Sequence, residues 1–187
     1  KYDGIKEFDP DAEQFFLIRP LVVRLRPVPN PLVLDVATGT GRLPYFLLEE
    51  ATFNGRIVGL DASGKMLRLA GEKLRPYGHR ASLVQQVADA LPFPSNQFDL
   101  VTCLEALEFF PSDTAALREM VRVLRPGGTL LVTRRKGPEG KAFIGRYRSV
   151  AQFETLLTGL GLEAVHTNPW QMDYDQVFGK KPGGGNP

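Results

Sequence analysis

Two glycines follow a short apolar stretch near the start of the chain, in the run Asp-Val-Ala-Thr-Gly-Thr-Gly at positions 35–41. Glycine lacks a Cβ, so the backbone at Gly39 and Gly41 can turn sharply and come close to a bound ligand. A helix that begins directly after this run would direct its free N–H groups at the same ligand. The spacing therefore predicts a ligand-binding loop, although a tight strand-to-helix turn without a ligand gives the same pattern.

Two aspartates follow later apolar stretches of the chain. Asp61 lies 20 residues after Gly41. Its carboxylate could accept hydrogen bonds from both hydroxyls of a ribose, and each charge-assisted bond contributes about 1.5–3 kcal/mol. Asp89 comes after a third apolar stretch and could accept from the exocyclic amine of an adenine. Each residue also has a plainer interpretation, because Asp61 could cap a helix and Asp89 could stabilise a turn.

A fourth segment, Cys-Leu-Glu-Ala-Leu-Glu-Phe-Phe at positions 103–110, follows another apolar stretch. Its backbone and the carboxylate of Glu105 could meet an ammonium group of a ligand. Glu105 is also the candidate for a catalytic role. Three further candidate general bases are Glu108, Tyr147 and His166. His79 is expected to be a solvated surface residue.

The elements that must position these residues alternate along the chain. Apolar runs predict strands at 32–36, 56–60, 82–87, 98–104, 129–133, 162–167 and 174–179. Apolar residues at helical spacing predict helices at 9–26, 42–50, 63–74, 113–124 and 150–159, with Pro20 kinking or splitting the first. This alternation predicts a mostly parallel sheet with helices on both faces, so the four segments meet at one edge of the sheet. The loop at 168–173 is too short for a crossover, so the last two strands should be antiparallel.

In this arrangement the chain resembles the class I S-adenosylmethionine (SAM)-dependent methyltransferases, especially the group that includes the ubiquinone and menaquinone biosynthesis enzymes. The resemblance extends from Leu32 to Thr133 and rests on the runs Val-Leu-Asp-Val-Ala-Thr-Gly-Thr-Gly, Gly-Leu-Asp-Ala-Ser-Gly-Lys-Met-Leu, Ala-Asp-Ala-Leu-Pro-Phe-Pro, Phe-Asp-Leu-Val and Leu-Arg-Pro-Gly-Gly-Thr-Leu-Leu-Val. It implies SAM as the cofactor and an α/β fold, a Rossmann-like three-layer sandwich. The implied sheet is seven-stranded and mostly parallel, with the order 3-2-1-4-5-7-6 and strand seven antiparallel.

The resemblance also implies where the parts of SAM would bind. Asp35 would order the glycine loop, whose residues Ala37, Thr38, Gly39 and Gly41 would surround the methionine part. Asp61 would hold the ribose, Ala62 and Met66 would pack on the adenine, and Asp89 and Ala90 would face its amine edge. Leu104 and Glu105 would border the methionine amino group and the sulfonium. The chain departs from many relatives at Ala37, where they carry glycine, and at 105–110, where they carry histidine; the second departure leaves the catalytic group open.

The composition and the ends of the chain give further expectations. The chain has 187 residues, a net charge of +2 and a single cysteine, Cys103. An internal disulfide and a cysteine-based zinc site are therefore excluded, no metal site is predicted, and a reducing, cytoplasmic setting fits. No apolar stretch approaches the ~20 residues of a membrane span. Because the chain begins with Lys1, its natural N-terminus is expected to have been trimmed. The predicted organisation is an N-terminal helical segment and linker at 1–31, a methyltransferase domain at 32–180 and a flexible tail at 181–187.

The expected function is transfer of the SAM methyl group, by in-line displacement, to a nucleophile on a small molecule. No Asn-Pro-Pro-aromatic run follows the fourth strand and no proline precedes Cys103, which argues against the usual sites for methylating exocyclic amines or cytosine C5. Two alternatives stay open. The basic run at 134–148 could bind RNA or another protein, or could be a solvated loop. An NAD(P)-dependent oxidoreductase would share the glycine loop and the acidic residue, but Pro44 stands where that class usually has glycine or alanine.

Overall fold

The apolar runs of the sequence form the strands of one sheet. The computed structural model describes residues 14–136 and 148–184. The strands are β1 Leu32–Val36, β2 Arg56–Asp61, β3 Ala81–Gln85, β4 Phe98–Cys103, β5 Leu124–Arg135, β6 Glu163–Pro169 and β7 Tyr174–Lys180. Over the described residues they form a seven-stranded sheet in the order β3-β2-β1-β4-β5-β7-β6. Strands β1 to β5 pair in parallel, and β7 is antiparallel to both β5 and β6. The predicted fold, strand order and antiparallel closing pair are confirmed.

Helices cover both faces of this sheet. The α-helices are α1 Arg19–Leu25, α2 Arg42–Glu49, α3 Gly64–Leu74, α4 Asp113–Val123 and α5 Val150–Gly159. A π-helical turn, Gln14–Ile18, precedes α1, and 3₁₀ segments occupy Arg75–Arg80 and Leu107–Phe109. Ser63 caps α3, since its hydroxyl accepts from the Met66 N–H at 3.4 Å. Ser149 and Gln152 form a reciprocal capping box at the start of α5.

Alternate residues of each strand pack against different helices. Val33, Ile57, Leu100 and Leu131 point to the face covered by α1, α2 and α3. Their neighbours Leu34, Val101, Leu130 and Val132 point to the face covered by α4 and α5. Successive side chains of a strand face opposite sides, so a strand buried on both sides needs an unbroken apolar run. The runs in the sequence meet this requirement.

The first helix is split at the place where proline occurs. The π-helical turn ends at Ile18, and Pro20 lies in the first turn of α1. Backbone N–H groups in the first turn have no acceptor within the helix, so the N–H that proline lacks is not needed there. Leu17, Ile18 and Leu21 of this segment are fully buried in the core beneath α2 and α3. Residues 9–13, which the sequence pattern assigned to the same helix, lie outside the described part of the chain.

The bounds of β3 and β5 differ from the prediction. The predicted third strand, 82–87, lies at 81–85 in the structure. The predicted fifth strand, 129–133, is longer, because Leu124 already pairs with Phe98 and Arg134 and Arg135 still pair with β7. The Pro-Gly-Gly segment after α4 forms an irregular stretch of this strand, in which the Gly127 N–H donates to the Lys181 carbonyl and the Gly128 carbonyl accepts from the Lys181 N–H.

The first residue of the predicted C-terminal tail makes contacts with the domain. Lys181, the first residue of the predicted tail, donates from Nζ to the carbonyl oxygens of Val121 and Leu124, both at 2.7 Å. Residues 185–187 lie outside the described part. Within the described ranges, no helix has the length and apolar character needed to cross a membrane.

Candidate functional site

The glycine loop joins β1 to α2 at the carboxyl end of the strand. Ala37, Gly39 and Gly41 all have φ values in the left-handed region, at 57°, 55° and 75°. A Cβ added at Gly41 would come within 3.1 Å of the Ala70 side chain, so this glycine allows α3 to pack close to the loop. A Cβ added at Gly39 would meet no atom within 4 Å. Gly39 therefore faces open space beyond the sheet, which suits close approach of a ligand.

Asp35, at the end of β1, is buried beneath this loop with only 3% of its surface exposed. Its Oδ1 accepts a hydrogen bond of 2.7 Å from the Thr102 hydroxyl of β4. Burial raises the pKa of Asp35 to about 6, because desolvation of the carboxylate outweighs the opposing effects of the Thr102 and Thr38 hydroxyls. Through this hydrogen bond, Asp35 links β1 to β4 near the carboxyl ends of the two strands.

Asp61, at the end of β2, ties the glycine loop to the turn before α3. Its Oδ2 accepts from the Gly39 N–H at 2.9 Å, and its Oδ1 accepts from the Ser63 N–H at 2.8 Å. An ionised carboxylate has about four acceptor positions. Asp61 can therefore hold the loop and still accept from further donors in the open space beside Gly39.

The other predicted adenosine contacts surround the ends of β2 and β3. Ala62 is exposed and Met66 is half-buried, at the start of α3. Asp89 and Ala90 are exposed in a turn after β3, in which the Ala90 N–H donates to the Val87 carbonyl at 3.4 Å. Because β2 and β3 are neighbours, with Asp61 opposite Gln85, these residues share one half of the sheet edge.

Glu105 lies directly beyond β4 in a left-handed conformation, with φ of 54°. Its backbone N–H donates to the Thr133 hydroxyl at 2.6 Å, and its Oε1 is 3.0 Å from Nη2 of Arg42. Nε2 of Gln171, in the β6–β7 loop, lies 3.5 Å from the same carboxylate oxygen. An ion pair therefore stands between the glycine loop and the end of β4.

Arg42 did not emerge from the sequence as a site residue. It immediately follows Gly41, and this adjacency is the signal that could have identified it. Leu104, before Glu105, is half-buried and packs with Trp170 against the core on the α1–α3 face.

A second polar cluster lies farther along the same edge and includes Tyr174, which no motif in the sequence indicates. The Tyr174 hydroxyl donates to Oε1 of Glu108, and Nη1 of Arg135 lies 3.3 Å from that oxygen. Burial and the adjacent Glu108 carboxylate raise the pKa of Tyr174 well above its usual range.

The remaining candidate bases lie elsewhere. His166 is exposed in the middle of β6 and stacks on Phe178, with ring centroids 5.4 Å apart. It is three residues from the end of β6, or about 10 Å along the strand. His79 is exposed, as expected. Tyr147 lies outside the described residues.

The described residues of the basic run are held by carboxylates. Arg134 and Lys136 both pair with Asp175, Arg135 pairs with Glu108, and Arg148 pairs with Asp113. The middle of the run, 137–147, lies outside the described residues. Within the described part of the chain, no group of three or more His, Cys, Asp or Glu side chains could hold a metal ion.

Comparison with known proteins decides the family. The profile of the methyltransferase domain family matches residues 33–128, which is just over half of the chain. The chain belongs to the methyltransferase domain family. The matched range contains the glycine loop, Asp61, Asp89 and Glu105, and it confirms the resemblance inferred from the sequence runs. The family assignment does not support the NAD(P)-dependent oxidoreductase alternative.

Relatives of this methyltransferase domain are similar over part of their length. The chain is 43% identical over 106 residues to the ubiquinone/menaquinone biosynthesis C-methyltransferase UbiE of Shewanella frigidimarina. The match covers 56% of the chain and 42% of that relative. The chain therefore spans less than half the length of this curated relative.

Solved structures show the same fold at low sequence identity. A SAM-dependent methyltransferase from Aquifex aeolicus superposes with a TM-score of 0.72 at 20% identity, covering 92% of this chain and 93% of that one. The [4+2]-cyclase SpnF superposes with a TM-score of 0.75 at 21% identity, covering 88% and 80%. Because one of these structures is a cyclase, the fold alone does not determine the reaction. The function of the site must therefore be inferred from its residues.

Proposed function

We propose that this methyltransferase domain binds SAM along the carboxyl ends of β1, β2, β3 and β4 and transfers its methyl group to a small molecule. The observation that carries the proposal is the arrangement around Gly39. A carboxylate with spare acceptor positions, Asp61, stands beside an open glycine backbone, and an ion pair of Arg42 and Glu105 stands on the other side.

The site fits SAM part by part. Asp61 would accept from the ribose hydroxyls, and Ala62, Met66, Asp89 and Ala90 would border the adenine. The methionine end of SAM is a zwitterion, with one ammonium and one carboxylate group. Glu105 would pair with the ammonium and Arg42 with the carboxylate, so each partner of the ion pair would gain an opposite charge on binding.

The chemistry divides between cofactor and protein. SAM supplies a methyl group already activated by its sulfonium charge. The protein must hold the acceptor in line with the methyl–sulfur bond and keep water away, and such positioning supplies several kcal/mol of the barrier. Glu105 lies next to the expected methyl position. Its bonds to Arg42 and Gln171 suit a role in holding the cofactor, and its candidacy as a catalytic group stays part of the proposal.

A small molecule is the acceptor we favour over RNA or protein. The UbiE relative is a C-methyltransferase of ubiquinone and menaquinone biosynthesis, which supports a small acceptor. Each of the four described basic residues that flank 137–147 pairs with Asp175, Glu108 or Asp113, so three carboxylates offset most of their positive charge and leave little of it for a polyanion.

The assignment of Asp61 can be tested by substitution. We expect Asp61→Ala to weaken SAM binding about ten- to a hundredfold, because it removes charge-assisted bonds to the ribose. Isothermal titration calorimetry with SAM measures the effect. Glu72→Ala, which removes an exposed carboxylate on α3, is the matched control and should bind as the wild type does. An unchanged dissociation constant for Asp61→Ala would show that the ribose binds elsewhere.

A further inference from the structure

One connection between parallel strands of the sheet contains no helix. Residues 86–97 join β3 to β4 and form neither a helix nor a strand, although β2 and β1 lie between these two strands in the sheet. A crossover between parallel strands is usually built on a helix, whose own hydrogen bonds fix the backbone. This connection carries Asp89 and Ala90, which border the adenine in the proposed function. The accuracy of the adenine site therefore depends on what else holds this backbone in place.

Arg122, near the end of α4, holds three residues of the connection. Its guanidinium donates to the Leu91 carbonyl at 3.1 Å, to the Phe93 carbonyl at 2.8 Å and to the Ser95 hydroxyl at 3.4 Å. It also donates from Nε and Nη2 to the two carboxylate oxygens of Glu119, at 2.7 and 2.8 Å. A guanidinium has five N–H donors, and each donor of Arg122 has an acceptor in these contacts. The Arg122 side chain is therefore fixed to the connection rather than extended into solvent.

Glu119, one turn earlier on α4, holds the peptide unit that joins Ala90 to Leu91. Its Oε2 accepts from the Leu91 N–H at 3.0 Å. In a planar trans peptide the N–H and the preceding carbonyl point in opposite directions, so this bond also directs the Ala90 carbonyl away from α4. The hydrogen bonds from Arg122 lower the pKa of Glu119, which keeps the acceptor ionised at neutral pH. Glu119 and Arg122 together therefore hold both backbone polar groups of Leu91.

The other anchors of this connection are apolar. The Leu91 side chain is buried in the core, and the Phe93 ring packs edge-on against Phe98, with ring centroids 5.1 Å apart. Apolar contacts have no preferred direction, whereas hydrogen bonds do. The apolar anchors therefore set how deeply the connection lies, and the polar pair on α4 sets how its peptide groups are oriented. Asp89 and Ala90, directly before these anchors, are exposed at the sheet edge.

We propose that Glu119 and Arg122 are positioning residues that set the selectivity of the cofactor site for a 6-aminopurine. The inference rests on the proposed function, in which Asp89 and Ala90 face the amine edge of the adenine. The 6-amino group of adenine donates to a carboxylate placed beside it. Hypoxanthine has a carbonyl oxygen there, so the same carboxylate loses its donor and faces an acceptor. A turn held by the Ala90–Leu91 peptide distinguishes the two bases, and a displaced turn does not.

The helix that carries the pair also offers a matched control. Arg122→Met removes all five hydrogen bonds of the guanidinium, and Arg118→Met changes an exposed arginine of the same helix. Glu119→Gln keeps the size of the side chain but replaces one acceptor oxygen with a donor. The probes are S-adenosylhomocysteine and S-inosylhomocysteine, in which an oxo group replaces the 6-amino group of the purine. Isothermal titration calorimetry gives a dissociation constant for each probe, and the ratio of the two constants measures the selectivity.

We expect the wild type and Arg118→Met to bind S-adenosylhomocysteine about tenfold or more tightly than S-inosylhomocysteine, as expected for one charge-assisted hydrogen bond. Arg122→Met should bind S-adenosylhomocysteine about tenfold more weakly, with less than about a threefold change for S-inosylhomocysteine, so the ratio falls towards one. Glu119→Gln should lower the ratio by about threefold or more. A purely structural role of the pair would weaken the binding of both probes equally and leave the ratio unchanged.

Two results would overturn this inference without affecting the proposed function. One is a wild-type protein whose two dissociation constants agree within about threefold, because the site then does not distinguish the amine edge. The other is a wild-type ratio in either Arg122→Met or Glu119→Gln. If near-ultraviolet circular dichroism shows that Arg122→Met does not fold, the ratio for Glu119→Gln decides alone. A wild-type protein that binds neither probe and does not bind SAM would instead overturn the proposed function.

Discussion

Asp35 places a carboxylate where its charge opposes folding. Its pKa is raised from 3.8 to about 6, so the folded chain keeps this proton up to a higher pH than the unfolded chain does. The stability that this group contributes is complete below pH ~4 and is lost as the pH rises through about 6. A shift of this size corresponds to about 3 kcal/mol.

Asp35→Asn removes the titration and keeps an oxygen that accepts from Thr102. Its free energy of unfolding should therefore rise relative to wild type by up to about 3 kcal/mol between pH 4 and pH 7. Urea unfolding at both pH values measures this. A stability difference that is the same at pH 4 and pH 7 would show that burial does not control this carboxyl group.

Single residues of the site differ in how far the sequence could reveal them. Gly39 and Asp61 were predicted because their types and spacing relative to predicted strands carry the signal. Arg42 and Tyr174 were missed because their partners are distant in sequence: Glu105 is 63 residues from Arg42, and Glu108 is 66 residues from Tyr174. Only the strand order brings such pairs together.

Strands and helices were predicted well where burial alone defines them. β1 is buried on both faces, and its bounds match the apolar run 32–36. β5 was predicted too short because its ends depend on pairing with Phe98 and with β7, which leaves no apolar signal in Arg134 and Arg135. The capping box of α5 has a recognisable Ser-x-x-Gln pattern in the sequence, and it directly follows the basic run at 134–148.

Lys181 shows how a side chain stabilises the end of a helix and a strand together. Its Nζ donates at 2.7 Å to Val121 and Leu124 carbonyls at the end of α4, and at 2.9 Å to the Asn96 side chain. Partial burial lowers the pKa of Lys181. Lys181→Met should reduce the free energy of unfolding by about 1–3 kcal/mol, because carbonyls lose a charged donor.

Urea denaturation of Lys181→Met and Lys180→Met provides the comparison. Lys180 is the exposed neighbour and serves as the control, since the same change there should leave stability within about 0.5 kcal/mol of wild type. Equal stability of the two variants would mean that the cap at the end of α4 contributes nothing.

At the scale of the whole molecule, the strand order places the site. Parallel strands β1 to β4 bring the glycine loop, Asp61, Asp89 and Glu105 to one edge, and β5 and β7 bring Arg135 and Tyr174 beside them. Each of these motifs, taken alone, could also belong to a turn that binds no ligand. Their convergence on one edge supports a single cofactor with an acceptor beside it, which is the central claim.

The most direct measurement of that claim is isothermal titration of the wild-type chain with SAM, S-adenosylhomocysteine, NAD⁺ and NADP⁺. We predict one site per chain for SAM and for S-adenosylhomocysteine, with dissociation constants between about 1 µM and 1 mM, and no binding of either nicotinamide dinucleotide. Binding of NAD⁺ or NADP⁺ without binding of SAM or S-adenosylhomocysteine would contradict the account.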